Sequence, residues 1–178
     1  ILDTSLFFNS SNNINGHFFY NFDKNLNIKN FKKSNLKFNL EQVSDDTYLK
    51  ANKLDSPIIK DYDLTETSVK LNMFSDDTNI DSELKVYQKL NETDGNNKYE
   101  YILPKIELTK SIENKTKLNG NFEFKTNNYI HNYQTTIYDR VNTNNLIFKS
   151  NPTITKSGYY NNYEFIIKNS NTNSQNSK

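Results

Sequence analysis

The chain has no cysteine and no tryptophan, and only four glycines, three prolines, two histidines and one methionine in 178 residues. Without cysteine it holds neither a disulfide framework nor a thiolate metal site. Glycine is too scarce for a loop that cradles phosphate. The two histidines, His17 and His131, stand far apart in sequence, with no serine, cysteine or carboxylate motif around them. A catalytic triad or a metal centre is therefore not expected, nor is an enzymatic activity or a cofactor. No apolar run approaches the roughly 18 residues of a membrane helix, and no charged-then-apolar leader opens the chain. Lys and Arg number 22 against 21 Asp and Glu. That balance lacks the basic excess that nucleic-acid binding requires.

What is present is an alternating pattern. Between Thr78 and Lys125, Ile80, Ser82, Leu84, Val86 and Leu90 share one parity while Asp81, Glu83, Lys85 and Lys89 take the other. After Glu113-Asn114-Lys115 the period returns, with Leu118, Gly120, Phe122 and Phe124 opposed by Lys117, Asn119, Asn121, Glu123 and Lys125. A period of two marks half-buried strands. Runs of ten to fifteen residues exceed the usual five or six of a soluble sheet and suit strands that cross a bilayer, which takes about 9 to 11 residues. A mean hydropathy of −0.89 would suit disorder, but 13% aromatic residues argue against it. Strands with one wet face and one lipid face reconcile the two. The expected fold is all-β: antiparallel up-and-down strands forming part of a large transmembrane outer-membrane β-barrel.

In chain order the pattern predicts about eight strands over residues 1–168, with no closed domain, and a polar loop or tail over 169–178. A short stub at Ser5–Phe8 is followed by strands at Gly16–Phe22, Ser34–Val43, Thr65–Phe74, Thr78–Leu90, Lys98–Ile112, Thr116–Asn127, Thr143–Ile154 and Tyr159–Lys168. From Ser44 onward long and short connections alternate, the short ones being 75–78, 113–115 and 155–158, as in barrels with short periplasmic turns and longer external loops. Tyrosines gather near strand ends, at Tyr99 and Tyr101, Tyr129 and Tyr133, and Tyr159, Tyr160 and Tyr163, as interfacial girdles do. The start at Ile1 and the polar end suggest an internal piece of a longer protein. The Asp45-Asp46 and Asp76-Asp77 pairs read as turn formers, since adjacent strand residues point to opposite faces.

The segment Ser44-Asp45-Asp46-Thr47-Tyr48-Leu49, leaving a strand for a long loop, resembles a signature within the barrel of the LptD family of lipopolysaccharide-assembly outer-membrane proteins. Tyr101-Ile102-Leu103-Pro104-Lys105-Ile106 resembles that family's proline-bearing strand, and Leu146 to Tyr159, with Asn151-Pro152, a later strand and turn. The resemblance implies an internal fragment of the C-terminal barrel, without the periplasmic jellyroll or the lateral-gate strands. It implies a translocon that inserts lipopolysaccharide into the outer leaflet of the outer membrane of a Gram-negative bacterium. The implied partners are lipopolysaccharide, outer-membrane lipid and, through parts outside this fragment, an LptE-like plug lipoprotein and an LptA-like periplasmic bridge. Under it, Lys70, Asn72, Asp81, Glu83, Lys85, Lys117, Asn119, Asn121, Glu123 and Lys125 are the lumen-facing candidates. Two other readings stay open from the residues: a porin or uptake receptor, and a soluble secreted β-sandwich or adhesin module. The sandwich requires a fold that closes within these residues.

Overall fold

The computed structural model describes residues 1–8, 14–95, 97–134 and 137–175. The turn-rich connection expected at 9–15, between the segments Ser5–Phe8 and Gly16–Phe22, falls largely outside them. Nine strands form one antiparallel sheet: β1 (Leu2–Phe8), β2 (Ile14–Leu26), β3 (Lys33–Val43), β4 (Leu64–Phe74), β5 (Thr78–Lys89), β6 (Tyr99–Ile112), β7 (Gly120–Asn132), β8 (Tyr138–Ser150) and β11 (Glu164–Gln175). Each pairs with the next in sequence, so the topology is up-and-down, and the sheet is open, with β1 and β11 at its edges. A two-stranded hairpin, β9 (Thr153–Ile154) and β10 (Tyr160–Asn161), and a short helix, α1 (Tyr48–Asn52), complete the described elements.

Directly opposed residues in an antiparallel pair share a face, so the register sorts every strand. Phe22 opposes Phe38, Phe38 opposes Val69, and Val69 opposes Leu84. Farther along, Phe122 opposes Phe148 and Phe148 opposes Phe165. These rows make an apolar face. On the other face Asp23 opposes Lys37, Lys70 opposes Glu83, and Glu83 opposes Lys105. A bulge between Ile102 and Lys105 holds Pro104, which has no N–H to give to a ladder.

Among the described residues, no second layer covers the apolar face. Buried apolar side chains among the described residues are Phe19, Tyr48, Leu49, Ile58, Leu90, Ile147 and Phe148. The first five form one cluster. It lies on the charged side of the sheet, where loop 44–63 folds over Phe19. Phe18, Leu84, Ile112, Phe165 and Ile167, all on the apolar face, stay exposed.

Several boundaries differ from those the sequence suggests. The expected polar tail at 169–178 is strand as far as Gln175, because its backbone completes a twelve-residue ladder with β8; ladder bonds outweigh the poor strand propensity of asparagine. The loop expected at 128–142 is mostly strand for the same reason, leaving 133–137 as the connection. Conversely, the expected strand at 143–154 stops at Ser150, and 151–163 carries the small hairpin that turns at Gly158, φ 87°. Connections at one end of the sheet are therefore 27–32, 75–77, 113–119 and 151–163, and the strict alternation of long and short does not hold.

Gly120, the first residue of β7, is required by space. A Cβ there would lie 2.3 Å from the Lys149 carbonyl oxygen and 2.5 Å from the Phe148 ring. We expect Gly120→Ala to cost about 1–3 kcal/mol as an overpacking change. Gly95→Ala, with no atom within 4 Å, should be neutral. Urea midpoints followed by circular dichroism compare the two; equal midpoints would refute the packing account.

Candidate functional sites on the charged face

The charged face is built by strand parity. Lys70 opposes Glu83, Asn72 opposes Asp81, and Ser68 opposes Lys85. Lys85 Nζ lies 3.0 Å from Glu83 and 3.8 Å from Glu66. The Asn72 amide donates to Asp81. On β7, Glu123 receives Lys125 at 3.3 Å and Lys149 at 3.6 Å, and Asn121 stands opposite Lys149. Eight of the ten lumen-facing candidates thus share one face. The more exposed pairs, Glu123 with Lys125 and Lys149, contribute about 0–1 kcal/mol each, whereas Lys85, Glu83 and Glu66 are more enclosed; together they make a charge-balanced surface.

Lys117 and Asn119 do not join it. Both are exposed in the 113–119 turn, because the Asn114 side chain organises a longer connection than expected. Its oxygen accepts from the Thr116 N–H at 2.9 Å, and its amide donates to the Leu118 and Gly120 carbonyls at 2.7 and 2.6 Å. Asn119 instead accepts from the Asn151 amide at 2.6 Å, linking two turns. Tyr129 opposes Lys105 on the charged face, not the apolar one, since β7 runs on past it.

The motif 44–49 is a loop anchor. The Ser44 N–H donates to the Gly16 carbonyl and its hydroxyl accepts from the Gly16 N–H, both at 2.9 Å. Asp45 accepts from the Thr47 N–H at 2.9 Å and hydroxyl at 2.7 Å, an Asx turn that starts α1. Asp46 pairs with Lys98 at 2.7 Å, reaching the 90–98 connection. Tyr48 and Leu49 then turn inward, 2% and 1% exposed. α1 ends at Lys53 in the left-handed region, φ 43°. In the other turns, hydroxyls of Ser75 and Thr78 hold Asp77 below the usual carboxylate range. Burial, then Asp139, pushes the Tyr133 phenol up.

The register also assembles a cluster that sequence proximity hides. His17 on β2 is opposite Ser5 on β1. Its Nδ1 is 2.9 Å from Ser5 Oγ and 3.2 Å from the Tyr48 hydroxyl; its Nε2 is 3.1 Å from Asp3 Oδ1. Tyr48 and Ser5 hydroxyls are 2.8 Å apart. Ser56 hydrogen-bonds Asp3 as well. Serine, carboxylate and imidazole thus meet around His17, a grouping that the order of the residues in the sequence does not display. The only signal available was the i, i+2 pair Asp3 and Ser5 on one face of a strand. His131, at the same end of the sheet, contacts Glu100 at 2.6 Å and Tyr133 by ring contact. Among the described residues no group of three or more potential ligands could hold a metal.

The fold and this face define the protein as an all-β chain with an open, two-faced, up-and-down sheet. No protein-family model, curated protein or solved structure matches the chain.

Proposed function

We propose that the chain is a wall segment of a transmembrane β-barrel in the bacterial outer membrane, with the charged face lining a wet lumen and the apolar face against lipid. One observation carries this reading: an extended apolar sheet face without a covering layer, backed by a charge-balanced face. A soluble domain buries such a face against a second sheet or helices, whereas a lipid-facing barrel wall leaves it to hydrocarbon. The open edges at β1 and β11 suit continuation into further strands, since an unpaired edge has no place in a bilayer. Within that class, the resemblance of Ser44 to Leu49 to the LptD barrel favours lipopolysaccharide translocation. An amphipathic lipid of that kind needs a polar route for its sugars beside an apolar one for its acyl chains.

A chain free of native cysteine permits a clean accessibility scan. With the protein inserted in lipid vesicles, single cysteines at Leu71, Leu84 and Phe124 should resist a water-soluble maleimide. Those at Lys70, Glu83 and Lys125 should react. Equal reactivity of the two sets would dispose of the barrel wall. For the finer reading, a benzophenone side chain at Glu83 should crosslink lipopolysaccharide in whole cells; crosslinks to phospholipid alone would point to another barrel.

A further inference from the structure

We propose that Ser5, His17 and Tyr48 form an ester-cleaving site, positioned by Asp3, that acts on acyl esters reaching the charged face near β1. Asp3 carries an acceptor-only carboxylate, so its contact with Nε2 places the imidazole proton there and leaves the Nδ1 lone pair for Ser5. The Ser5 hydroxyl then donates to Nδ1 at 2.9 Å, and the Tyr48 hydroxyl donates to Ser5 Oγ at 2.8 Å. Every polar hydrogen in the chain of contacts has an acceptor. His17 is 4% exposed and its ring lies 4.6 Å from that of buried Phe19, so the base is held in one orientation. Ser5 itself is only half-buried.

These are the parts of an activated nucleophile: hydroxyl, base within hydrogen-bond reach, and a third group orienting the base. In the reaction Ser5 Oγ bonds to the ester carbonyl carbon as its proton passes to His17 Nδ1. The Tyr48 O–H, released from Ser5, donates to the carbonyl oxygen as it gains negative charge. Collapse of the adduct breaks the bond to the alcohol, which leaves with the proton from Nδ1. Water then enters by the same route, releases the carboxylic acid and restores Ser5. The substrate class is a carboxylic ester, with water as co-reactant.

The test is to treat the full folded chain with an alkyl fluorophosphonate, which phosphonylates an activated serine with loss of fluoride, and to locate the adduct by peptide mass mapping. We expect one adduct, on Ser5, formed about 10²-fold or more faster than in His17→Gln. Tyr48→Phe keeps the ring in the core and should lower turnover of p-nitrophenyl butyrate about 10²-fold. Asp3→Asn, which can hold the ring in the wrong tautomer, should lower kcat by about 10³–10⁴ with KM unchanged. Absence of an adduct at Ser5 in the wild-type chain, shown folded by circular dichroism, overturns the proposal. So does a labelling rate that His17→Gln leaves intact.

Discussion

Leu71→Arg is expected to cost about 2–4 kcal/mol of folding free energy in a lipid bilayer, the range for a cation on the lipid face of a barrel near the midplane. Its neighbour Lys70→Gln should cost less than about 1 kcal/mol. The two residues are adjacent on β4 but lie on opposite faces, Leu71 opposite Leu36 and Ser82, Lys70 opposite Lys37 and Glu83. Propensity, position along the strand and distance from the turn are therefore nearly matched, and only the medium on each side differs. Reversible urea unfolding in lipid vesicles, followed by far-ultraviolet circular dichroism because the chain has no tryptophan, measures both. Equal costs would mean that the two faces see the same medium, which a barrel wall does not allow.

The second large effect lies in the loop. Leu49, 1% exposed, packs with Phe19, Tyr48, Ile58 and Leu90, and partly buried Val43, Leu54 and Ile59 surround them. Leu49→Ala should cost this cluster about 2–5 kcal/mol. That exceeds what a loop tied down by Asp46–Lys98 and a few turn hydrogen bonds can absorb. The loop should detach while the sheet persists, since none of its residues contributes to the ladder between β3 and β4. Limited trypsin digestion should then cut after Lys50 and Lys53, with the strand dichroism unchanged. The control is Leu118→Ala, 51% exposed in the 113–119 turn, which should leave digestion as it is. A Leu49→Ala chain as resistant as wild type would show that the cluster does not hold the loop.

The long alternating strands were legible because both faces of each carry a clear signal. Ile80, Leu84 and Val86 against Asp81, Glu83 and Lys85 fix β5 and its orientation without reference to any neighbour. Asn142, Asn144, Asn169 and Asn171 give no such contrast. They are strand because β8 and β11 pair along their whole length, a partnership between segments far enough apart that local pattern is blind to it. The reach of the 113–119 turn was hidden for a different reason. Leu118 and Gly120 kept the alternating parity, while one side chain, Asn114, reorganised the backbone around them. The cluster around His17 was the least legible of all. Its members come from β1, β2 and loop 44–63, and only the register of the first two and the fold-back of the third bring them together.

The apolar residues do not occupy equal lengths of each strand. On β5 they run from Ile80 to Val86, roughly 20 Å of strand, but on β11 only Phe165 and Ile167 remain, roughly 7 Å, before asparagines take over the same face. A membrane around the proposed barrel would meet a belt that tapers toward β11. Lipid tails beside a belt too short for them compress, and each ångström of mismatch carries a cost of a fraction of a kcal/mol. The bilayer would accordingly be thinnest next to β11, leaving a shallow dimple on that flank where a lipid has the least hydrocarbon to cross.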